Sequence, residues 1–344
     1  MTTDSLMRKP VAVLTRDSHI SRLWGILIAL VIFFTVVQTS SFLSIRTWQS
    51  MAVQFPEFGI MALGVMLAMI TGGVDLSVVG IANMTSITAA TVMLTLVPPR
   101  SGTDPTLGIV IAIAVALLMG ALAGVLNGWL VATVKIPAIL VTLGTLELFT
   151  GVAIILTAGR PISGLPMAYS SIVAGKLFGV VPAQLLIFLV MACIVGFMLH
   201  RAAYGTKLYM LGTNATAARF SGLHSTKLLI QTYAMSGVCA SVAGLVMLAN
   251  YNSAKADYGV AYTLLTVLIV VLGGVNPNGG SGKLTGVILA IVILQILSSG
   301  LNMFPAISNF YRPLIWGAVL LLVISTSDFG SGLRRRLGRK GQQS

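Results

Sequence analysis

The sequence has very little charge. Only 8% of its 344 residues are Asp, Glu, Lys or Arg, whereas a soluble globular domain carries about 25%. Hydrophobic residues make up 56% of the chain, and they occur in long runs that do not alternate with polar residues. These features exclude an ordinary soluble domain and a membrane β-barrel. They predict an all-α, polytopic helical membrane protein.

Cysteine, histidine and acidic residues are also scarce. The two cysteines, Cys193 and Cys239, lie in apolar runs and are predicted to be packed thiols. No group of His, Cys or carboxylate residues has the spacing of a metal site, and no Ser-His-Asp set can be placed on neighbouring helices. We therefore expect no catalytic residue, no bound metal and no cofactor on this chain, and we expect that it is not an enzyme.

One glycine-rich stretch near the C-terminus superficially resembles a phosphate-binding loop. That nucleotide motif requires Gly, four residues, then Gly-Lys-Ser/Thr. Here Pro277 occupies the first required position and Leu284 follows Lys283. The chain therefore has no ATP site of this kind.

The net charge is +13. In a soluble protein such a charge would suggest a nucleic-acid partner, but in a membrane protein Lys and Arg instead mark the cytoplasmic ends of helices. We predict ten spans: 23–43, 50–70, 77–97, 107–130, 137–157, 183–199, 228–250, 261–275, 284–300 and 310–326.

With a cytoplasmic N-terminus, alternation of these spans places 15 of the 21 Lys and Arg residues inside. Both termini are therefore predicted to be cytoplasmic, with no nucleic-acid partner and an even number of spans. Eight spans satisfy the same rule if a short pair is broken or re-entrant. The predicted organisation is a tail at 1–22, a permease domain at 23–326 and a basic tail at 327–344.

Two glycine-rich interruptions divide apolar runs. The first glycine break, residues 71–77, contains Gly72, Gly73, Asp75 and Ser77, and the second glycine break, residues 273–283, contains Gly273, Gly274 and Asn276. Irregular backbone and a carboxylate are costly against lipid, so both breaks are predicted inside the bundle beside a path for a polar solute. Asp75 is predicted to cap a helix that restarts at residues 76–77. The outline shared by the two breaks is typical of an internal duplication.

Three other polar residues in the apolar runs are candidates for a polar cavity: Glu57, Asn127 and Glu147. Glu57 follows Pro56, which predicts a kink and a restarted helix. Either carboxylate could instead be hydrogen-bonded between helices.

The predicted cytoplasmic loop, residues 200–227, contains a segment with helix signals. Thr213 or Asn214 can cap a helix, residues 215–220 are compatible with a short one, and Gly222 can end it. A helix of two turns is marginal alone in water, so it is predicted to dock on another surface. The alternative is that this segment is only a connector that lies on the membrane surface.

The order of several motifs resembles the membrane subunits of bacterial ABC importers for ribose and related sugars. The motifs are Gly72-Gly73-Val74-Asp75-Leu76-Ser77, Asn127-Gly128, Lys135-Ile136-Pro137, Thr142-Leu143-Gly144-Thr145, Gly159-Arg160-Pro161-Ile162, Gly212-x-Asn214, Ser236-Gly237, Ala243-Gly244 and Gly279-Gly280-Ser281-Gly282. The resemblance spans roughly residues 42–329. Glu147 and the residues after Ser77 depart from the family pattern and leave the substrate open.

The resemblance implies a permease that works with other chains in the bacterial inner membrane. A periplasmic sugar-binding protein would deliver a pentose or deoxy-hexose, and a second permease copy or paralogue would complete the path. A cytoplasmic ATPase, holding ATP and Mg²⁺, would dock on the coupling segment, residues 213–222. The residues of the coupling segment that contact the ATPase would be Thr213, Asn214, Ala217, Ala218, Arg219, Ser221 and Gly222.

Other functions remain open from the sequence. A proton- or sodium-coupled carrier would use buried carboxylates. The absence of a catalytic cluster weighs against a membrane-embedded enzyme or scaffold. The same ABC scaffold could also carry a sugar-like signalling molecule, a polyol or a nucleoside.

Overall fold

The computed structural model describes residues 18–98 and 104–304, together with Tyr311, Leu314 and residues 316–318. The chain is almost entirely helical over these residues. The helices are α1 (Ser18–Val37), α2 (Thr39–Phe42), α3 (Ile45–Ile70), α4 (Val78–Leu96), α5 (Pro105–Trp129), α6 (Ala138–Thr157), α7 (Met167–Val173), α8 (Ala183–His200), α9 (Ala203–Thr213), α10 (Ala215–Phe220), α11 (Ser225–Tyr251), α12 (Tyr262–Leu272) and α13 (Leu284–Leu301). A π-helical turn, Leu130–Val134, extends α5.

Four two-residue strands are described, and all lie between helices on one side of the bundle. They are β1 (Ile162–Ser163), β2 (Lys176–Leu177), β3 (Val181–Pro182) and β4 (Ser253–Ala254). β1 pairs antiparallel with β4, and β2 with β3. The pairing of β1 with β4 joins two segments that the charge analysis placed outside, so the observed packing agrees with the predicted alternation of spans.

Helix α11 is the centre of the bundle and packs along α3, α4 and α5. Glycines allow these close approaches: a Cβ at Gly124 would overlap the backbone of Tyr233, and one at Gly244 would overlap the backbone of Ala82. Small residues spaced four apart in α5 and α11 thus allow tight helix packing.

Eight described helices are long and apolar enough to cross a membrane. They correspond to eight of the ten predicted spans, and α12 corresponds to a ninth. The tenth, 310–326, lies largely outside the described residues, as do most of the 1–22 tail and the whole 327–344 tail.

The ends of the first span differ from the prediction. α1 begins at Ser18, inside the predicted tail, and ends at Val37 instead of residue 43. The helix extends beyond the apolar run because Arg22 and His19 are stabilised there: Arg22 Nε donates to Ser18 O at 3.1 Å, and His19 Nε2 lies 3.1 Å from Leu272 O.

Helix α12 has 11 residues, which at about 1.5 Å per residue covers only about half of the hydrocarbon core. The preceding loop folds back against α4, because Asn83 Nδ2 donates to Ala256 O at 2.8 Å and to Tyr258 O at 2.9 Å. Part of this irregular segment, including Ala254 and Ala256, is thus buried in protein, as the prediction of broken helices requires.

Candidate functional site

The first glycine break ends α3 with a Schellman motif. Gly72 has φ +86°, its N–H donates to Met69 O at 3.0 Å, and the N–H of Gly73 donates to Ala68 O at 3.3 Å. Glycine suits this position because an L side chain is strained at such a φ. The motif turns the chain sharply while keeping the last carbonyls of α3 hydrogen-bonded.

Asp75 then organises the start of α4. Its Oδ1 accepts hydrogen bonds from the Ser77 N–H at 3.0 Å and from Ser77 Oγ at 2.6 Å. Its Oδ2 accepts from Ser236 Oγ of α11 at 2.7 Å. The carboxylate is completely buried. Three donors from the chain therefore solvate it, and in this conformation it offers no surface to a passing solute.

Two buried polar atoms close to this network have no partner among the described residues. Asn127 Nδ2 donates to Ser77 Oγ at 2.7 Å, but Asn127 Oδ1 accepts no hydrogen bond, and neither does the hydroxyl of Tyr233 make one. Tyr233 lies directly beside Gly73, where a Cβ would overlap its hydroxyl. The sequence analysis named Asn127 and Gly73 but missed Ser236 and Tyr233 as neighbours of Asp75.

The second glycine break uses the same backbone devices. Gly274 has φ +84°, its N–H donates to Val271 O at 2.9 Å, and the N–H of Val275 donates to Val270 O at 3.2 Å. Asn276 Oδ1 accepts from the Asn278 N–H at 3.0 Å, as Asp75 does from the residue two positions on. Gly273 itself is the C-cap residue that follows Leu272 at the end of α12.

The two breaks meet at the end of α3. The N–H of Gly280 donates to Ile70 O at 2.9 Å. A Cβ at Gly279 would lie 2.7 Å from the nitrogen of Gly72. Backbone therefore packs directly on backbone, which only glycine permits at these positions.

Helix α9 completes this junction from the cytoplasmic side. A Cβ at Gly212 would overlap both the carbonyl of Ile70 and the nitrogen of Gly280. Tyr209 Oη donates to Gly282 O at 2.9 Å, and burial raises the pKa of the Tyr209 phenol, so it remains a donor. Tyr204 Oη lies 2.8 Å from Thr232 Oγ1 and ties α9 to α11.

The coupling segment forms the short helix that the sequence predicted. The N–H of Ala217 donates to Asn214 Oδ1 at 2.9 Å, so Asn214 is the cap, and Gly222 ends α10 with φ +81°. Thr213 instead ends α9 and donates to Tyr209 O at 2.8 Å. Most of the segment is exposed, except for the buried Ala218.

The surroundings of the coupling segment differ from the predicted loop. Residues 200–227 are mostly helical, and the prediction missed α9 altogether. An open cavity of about 490 Å³ lies between α9 and α10. Its lining includes Thr213, Asn214, Ala217, Ala218 and Ser221. Phe220 is 89% exposed at the end of α10. An unpaired aromatic residue beside an open cavity is a surface suited to a protein partner.

Glu57 lies near the middle of α3, about 20 Å from Ile70 at about 1.5 Å per residue. Its Oε1 accepts from Asn250 Nδ2 at 2.7 Å. Its Oε2 accepts from Tyr251 Oη at 2.9 Å and from Tyr262 Oη at 3.1 Å. The carboxylate thus fastens α3 to the end of α11 and the start of α12.

The predicted helix restart at Glu57 is wrong, because α3 runs without interruption from Ile45 to Ile70 with Pro56 inside it. Packing of α3 against α8, α11, α12 and α13 holds the helix through the position where proline removes one backbone hydrogen bond.

The surroundings of Glu147 differ from those of Glu57 and Asn127. It is exposed on α6 and has no hydrogen bond or ion pair with the described residues. Of the three cavity candidates, the structure therefore buries two in hydrogen-bond networks and leaves one on the surface of the single chain.

Comparison with known proteins places the chain in a family. The model for the family described as "Branched-chain amino acid transport system / permease component" matches residues 48–324. The chain belongs to this family. It is therefore a transport subunit and a multi-pass membrane permease, in agreement with the eight long apolar helices.

Relatives of this permease are named for import of two different solutes. It is 31% identical over 304 residues to Ribose import permease protein RbsC of Escherichia coli strain K12, covering 87% of this chain and 91% of the relative. It is 30% identical over 304 residues to Autoinducer 2 import system permease protein LsrD of Yersinia pseudotuberculosis serotype O:1b, covering 87% and 88%. It is also 30% identical over 267 residues to RbsC of Bacillus subtilis strain 168, covering 77% and 80%.

A solved structure shares the fold of the permease. An ABC transporter assigned to the metal-chelate type, in an inward-facing conformation, superposes with a TM-score of 0.51 at 16% identity and covers 90% of this chain and 99% of its own. The likeness shows that the helical permease fold is common to both chains.

Proposed function

We propose that this chain is the membrane-spanning permease subunit of an ATP-binding cassette importer that carries a sugar into the cytoplasm. The observation that carries the proposal is the junction of α9 with both glycine breaks, next to the exposed α10. Because Gly212 touches Ile70 and Gly280 through backbone atoms, we expect a partner that moves the coupling segment to move the end of α3 and the second glycine break with it.

The proposed substrate is ribose, another pentose or a deoxy-hexose. Relatives about 30% identical over most of the chain are named for ribose import, which supports a sugar over the branched-chain amino acids in the family description. A sugar-like signalling molecule is the second candidate, because a relative of nearly equal identity is named for autoinducer 2 import. A polyol or a nucleoside would use the same scaffold.

The remaining components of the proposed importer would be separate chains. A cytoplasmic subunit would bind ATP and Mg²⁺, with no cofactor on the permease. A periplasmic sugar-binding protein would deliver substrate, and a second permease copy or a paralogue would close the path. The location would be the bacterial inner membrane. The exposed coupling segment and the family membership support this assembly.

The competing function is a proton- or sodium-coupled carrier. Such carriers change the occupancy of buried carboxylates during transport. Here Asp75 and Glu57 are each saturated by three hydrogen-bond donors from the chain itself. Their arrangement supports a structural role and so favours an energy source on another chain.

Reconstitution in liposomes separates the two functions. With the ATP-binding partner, internal ATP and the sugar-binding protein, we expect uptake of radiolabelled ribose that stops when ATP is withheld. Liposomes that contain only the permease should show no uptake under a proton or sodium gradient. Gradient-driven uptake by the permease alone would refute the proposal.

A charge reversal tests the docking of the ATP-binding partner. Arg219 is exposed in the last turn of α10, so Arg219→Glu should weaken partner binding and reduce ATP-driven uptake by roughly tenfold or more, about 1.4 kcal/mol. Arg160→Glu is the control for partner binding, because Arg160 is also exposed but lies on the predicted outer side. Normal partner binding and uptake with Arg219→Glu would contradict the docking site.

A further inference from the structure

One carboxylate lies on a membrane-spanning helix without any partner in the described chain. Glu147 is exposed and stands near the middle of the 20-residue α6. No described residue makes a hydrogen bond or ion pair with it. An ionisable group at this depth requires an explanation in terms of what surrounds it.

Helix α6 has one packed face and one free face. It contacts mainly α4, and its buried residues are Val141, Thr142, Thr145, Phe149 and Ala153. Glu147 lies on the opposite face with Gly144 and Gly151, at helical spacings of three and four. A Cβ at either glycine would meet no atom within 4 Å. The carboxylate therefore stands in open space that extends one turn above and below it.

Lipid does not suit this face. A carboxylate on a short side chain at the middle of a span cannot reach the headgroups, so lipid would leave it charged and unsolvated. The exposed part of α6 also carries Leu140, Leu143, Leu148, Ile154 and Ile155, so the carboxylate alone makes this face unsuited to lipid. The exposed face of α8 has no carboxylate: Leu186, Leu189, Val190, Cys193, Ile194 and Phe197 are exposed there, and they can face lipid at no such cost.

A dry contact with a second copy does not suit it either. Within the described spans, Lys, Arg and His lie only close to helix ends: His19, Arg22, Arg46, His200 and Lys227. The described part of a second copy therefore has no cation to place against the middle of α6. A packed interface would have to solvate the carboxylate with neutral donors alone, as Ser77 and Ser236 do for Asp75. Water solvates it without requiring a matched set of donors from a second copy.

We propose that the face formed by Gly144, Glu147 and Gly151 lines the water-filled solute path, and that Glu147 selects solutes by charge. This inference rests on the proposed function. A carboxylate accepts hydrogen bonds from sugar hydroxyls and attracts amines, but it repels anions. The path therefore admits neutral sugars and amino sugars and excludes sugar phosphates and sugar acids.

Thiol labelling in membranes that contain the full-length permease tests the water-filled path. Glu147→Cys is made together with Cys193→Ala, while Cys239 stays because it is completely buried. The impermeant cationic reagent trimethylammonium-ethyl methanethiosulfonate, which needs a hydrated thiolate, should label the thiol introduced by Glu147→Cys. The unmodified chain is the control, since its Cys193 on the apolar α8 face should stay unlabelled.

A second measurement tests charge selection with Glu147 in place. Gly151→Cys puts a thiol one turn from the carboxylate, again with Cys193→Ala. We compare its reaction rates with the cationic reagent and with its anionic sulfonatoethyl counterpart. The cationic-to-anionic rate ratio should fall at least about fivefold when Glu147→Gln is added, because one charge is removed at close range.

Absence of labelling of the Glu147→Cys variant would overturn the inference. Efficient oxidative cross-linking between two copies of that unlabelled variant would then indicate a dry interface. An unchanged rate ratio with Glu147→Gln would overturn the charge selection. ATP-driven ribose uptake is measured separately. If the thiol is labelled but ribose is not taken up, the proposed sugar-import function is refuted and the water-filled path is supported.

Discussion

The two glycine breaks share the same local backbone structure but differ in their surroundings. Each ends a helix with a Schellman motif and continues with an Asp or Asn whose side chain accepts from the N–H two residues on. Asp75 is completely buried, whereas Asn276 is exposed. Side chains from α5 and α11 surround the first break, and backbone atoms of α3 and α9 contact the second.

This difference indicates two roles: the first break is held fixed in the bundle, whereas the second responds to movement of α9. Asp75 is held by side-chain hydrogen bonds deep in the bundle, so the first break is anchored there. The second break contacts the cytoplasmic α9 and the carbonyl of Ile70 through backbone and lies at the surface. We therefore expect a shift of α9 to reach the end of α3 both directly through Gly212 and through the second break.

The largest contrast is expected for Asp75→Ala against Asn276→Ala. Asp75→Ala leaves three buried donor groups without their acceptor, at about 1–3 kcal/mol for each unsatisfied group. We expect little assembled permease and a much lower thermal midpoint in detergent. Asn276→Ala is the control and should change the midpoint only slightly, because water replaces the lost acceptor.

Equal midpoints for Asp75→Ala and Asn276→Ala would contradict the distinction between a buried and an exposed break. Wild-type uptake by Asp75→Ala at normal expression would count against any structural role for this carboxylate.

A smaller contrast is expected between two glycines of the second break. Gly279→Ala and Gly274→Ala each carry roughly 1–2 kcal/mol of left-handed backbone strain. Gly279→Ala also places a Cβ 2.7 Å from the nitrogen of Gly72, whereas Gly274→Ala meets only the ring of His19 at 2.6 Å. A ring can rotate and backbone cannot, so Gly279→Ala should lower the thermal midpoint more.

The double variant Gly274→Ala with His19→Ala refines this test. Removing the ring should restore part of the stability lost by Gly274→Ala. A midpoint for Gly274→Ala at or below that of Gly279→Ala would show that the contact between the breaks is not a tight backbone contact.

The smallest effects come from single hydrogen bonds to each break. Tyr209→Phe removes the bond to Gly282 O, and Thr142→Val removes the 3.0 Å bond from Thr142 Oγ1 to Val74 O. Each should cost about 0.5–1.5 kcal/mol of stability. Only Tyr209→Phe should also reduce sugar uptake per ATP hydrolysed, since only it links α9 to a break. Equal uptake per ATP in both variants would remove the transmitting role.

Much of this architecture could be predicted from local patterns. Long apolar runs located the spans, and the signals at Asn214 and Gly222 located α10 because capping is a local property. Helix α9 was missed because its hydrophobic residues, which include Leu208 and Leu211, form a run too short to be taken for a membrane span. Their spacing with Tyr204 is the helical signal that could have found it.

The partners of the breaks could not be predicted, because they come from distant parts of the chain. Ser236 reaches Asp75 across 161 positions, and nothing in the local sequence specifies that contact. The alignment of Gly72-Gly73 with Gly273-Gly274 also does not match the backbone conformations of the two breaks. The positive φ falls on Gly72, the first of one pair, and on Gly274, the second of the other, so the helices end at different positions relative to the shared motif.

The central claim is that α9 transmits motion to both breaks through Gly212. Gly212→Ala would wedge a Cβ between Ile70 and Gly280, while Gly25→Ala in α1 meets no atom within 4 Å and serves as the control. The direct measurement is sugar transported per ATP hydrolysed by the isolated assembled importer. We predict a fall of roughly tenfold for Gly212→Ala, about 1.4 kcal/mol of lost coupling, and no change for Gly25→Ala. An unchanged ratio in assembled Gly212→Ala would contradict the account.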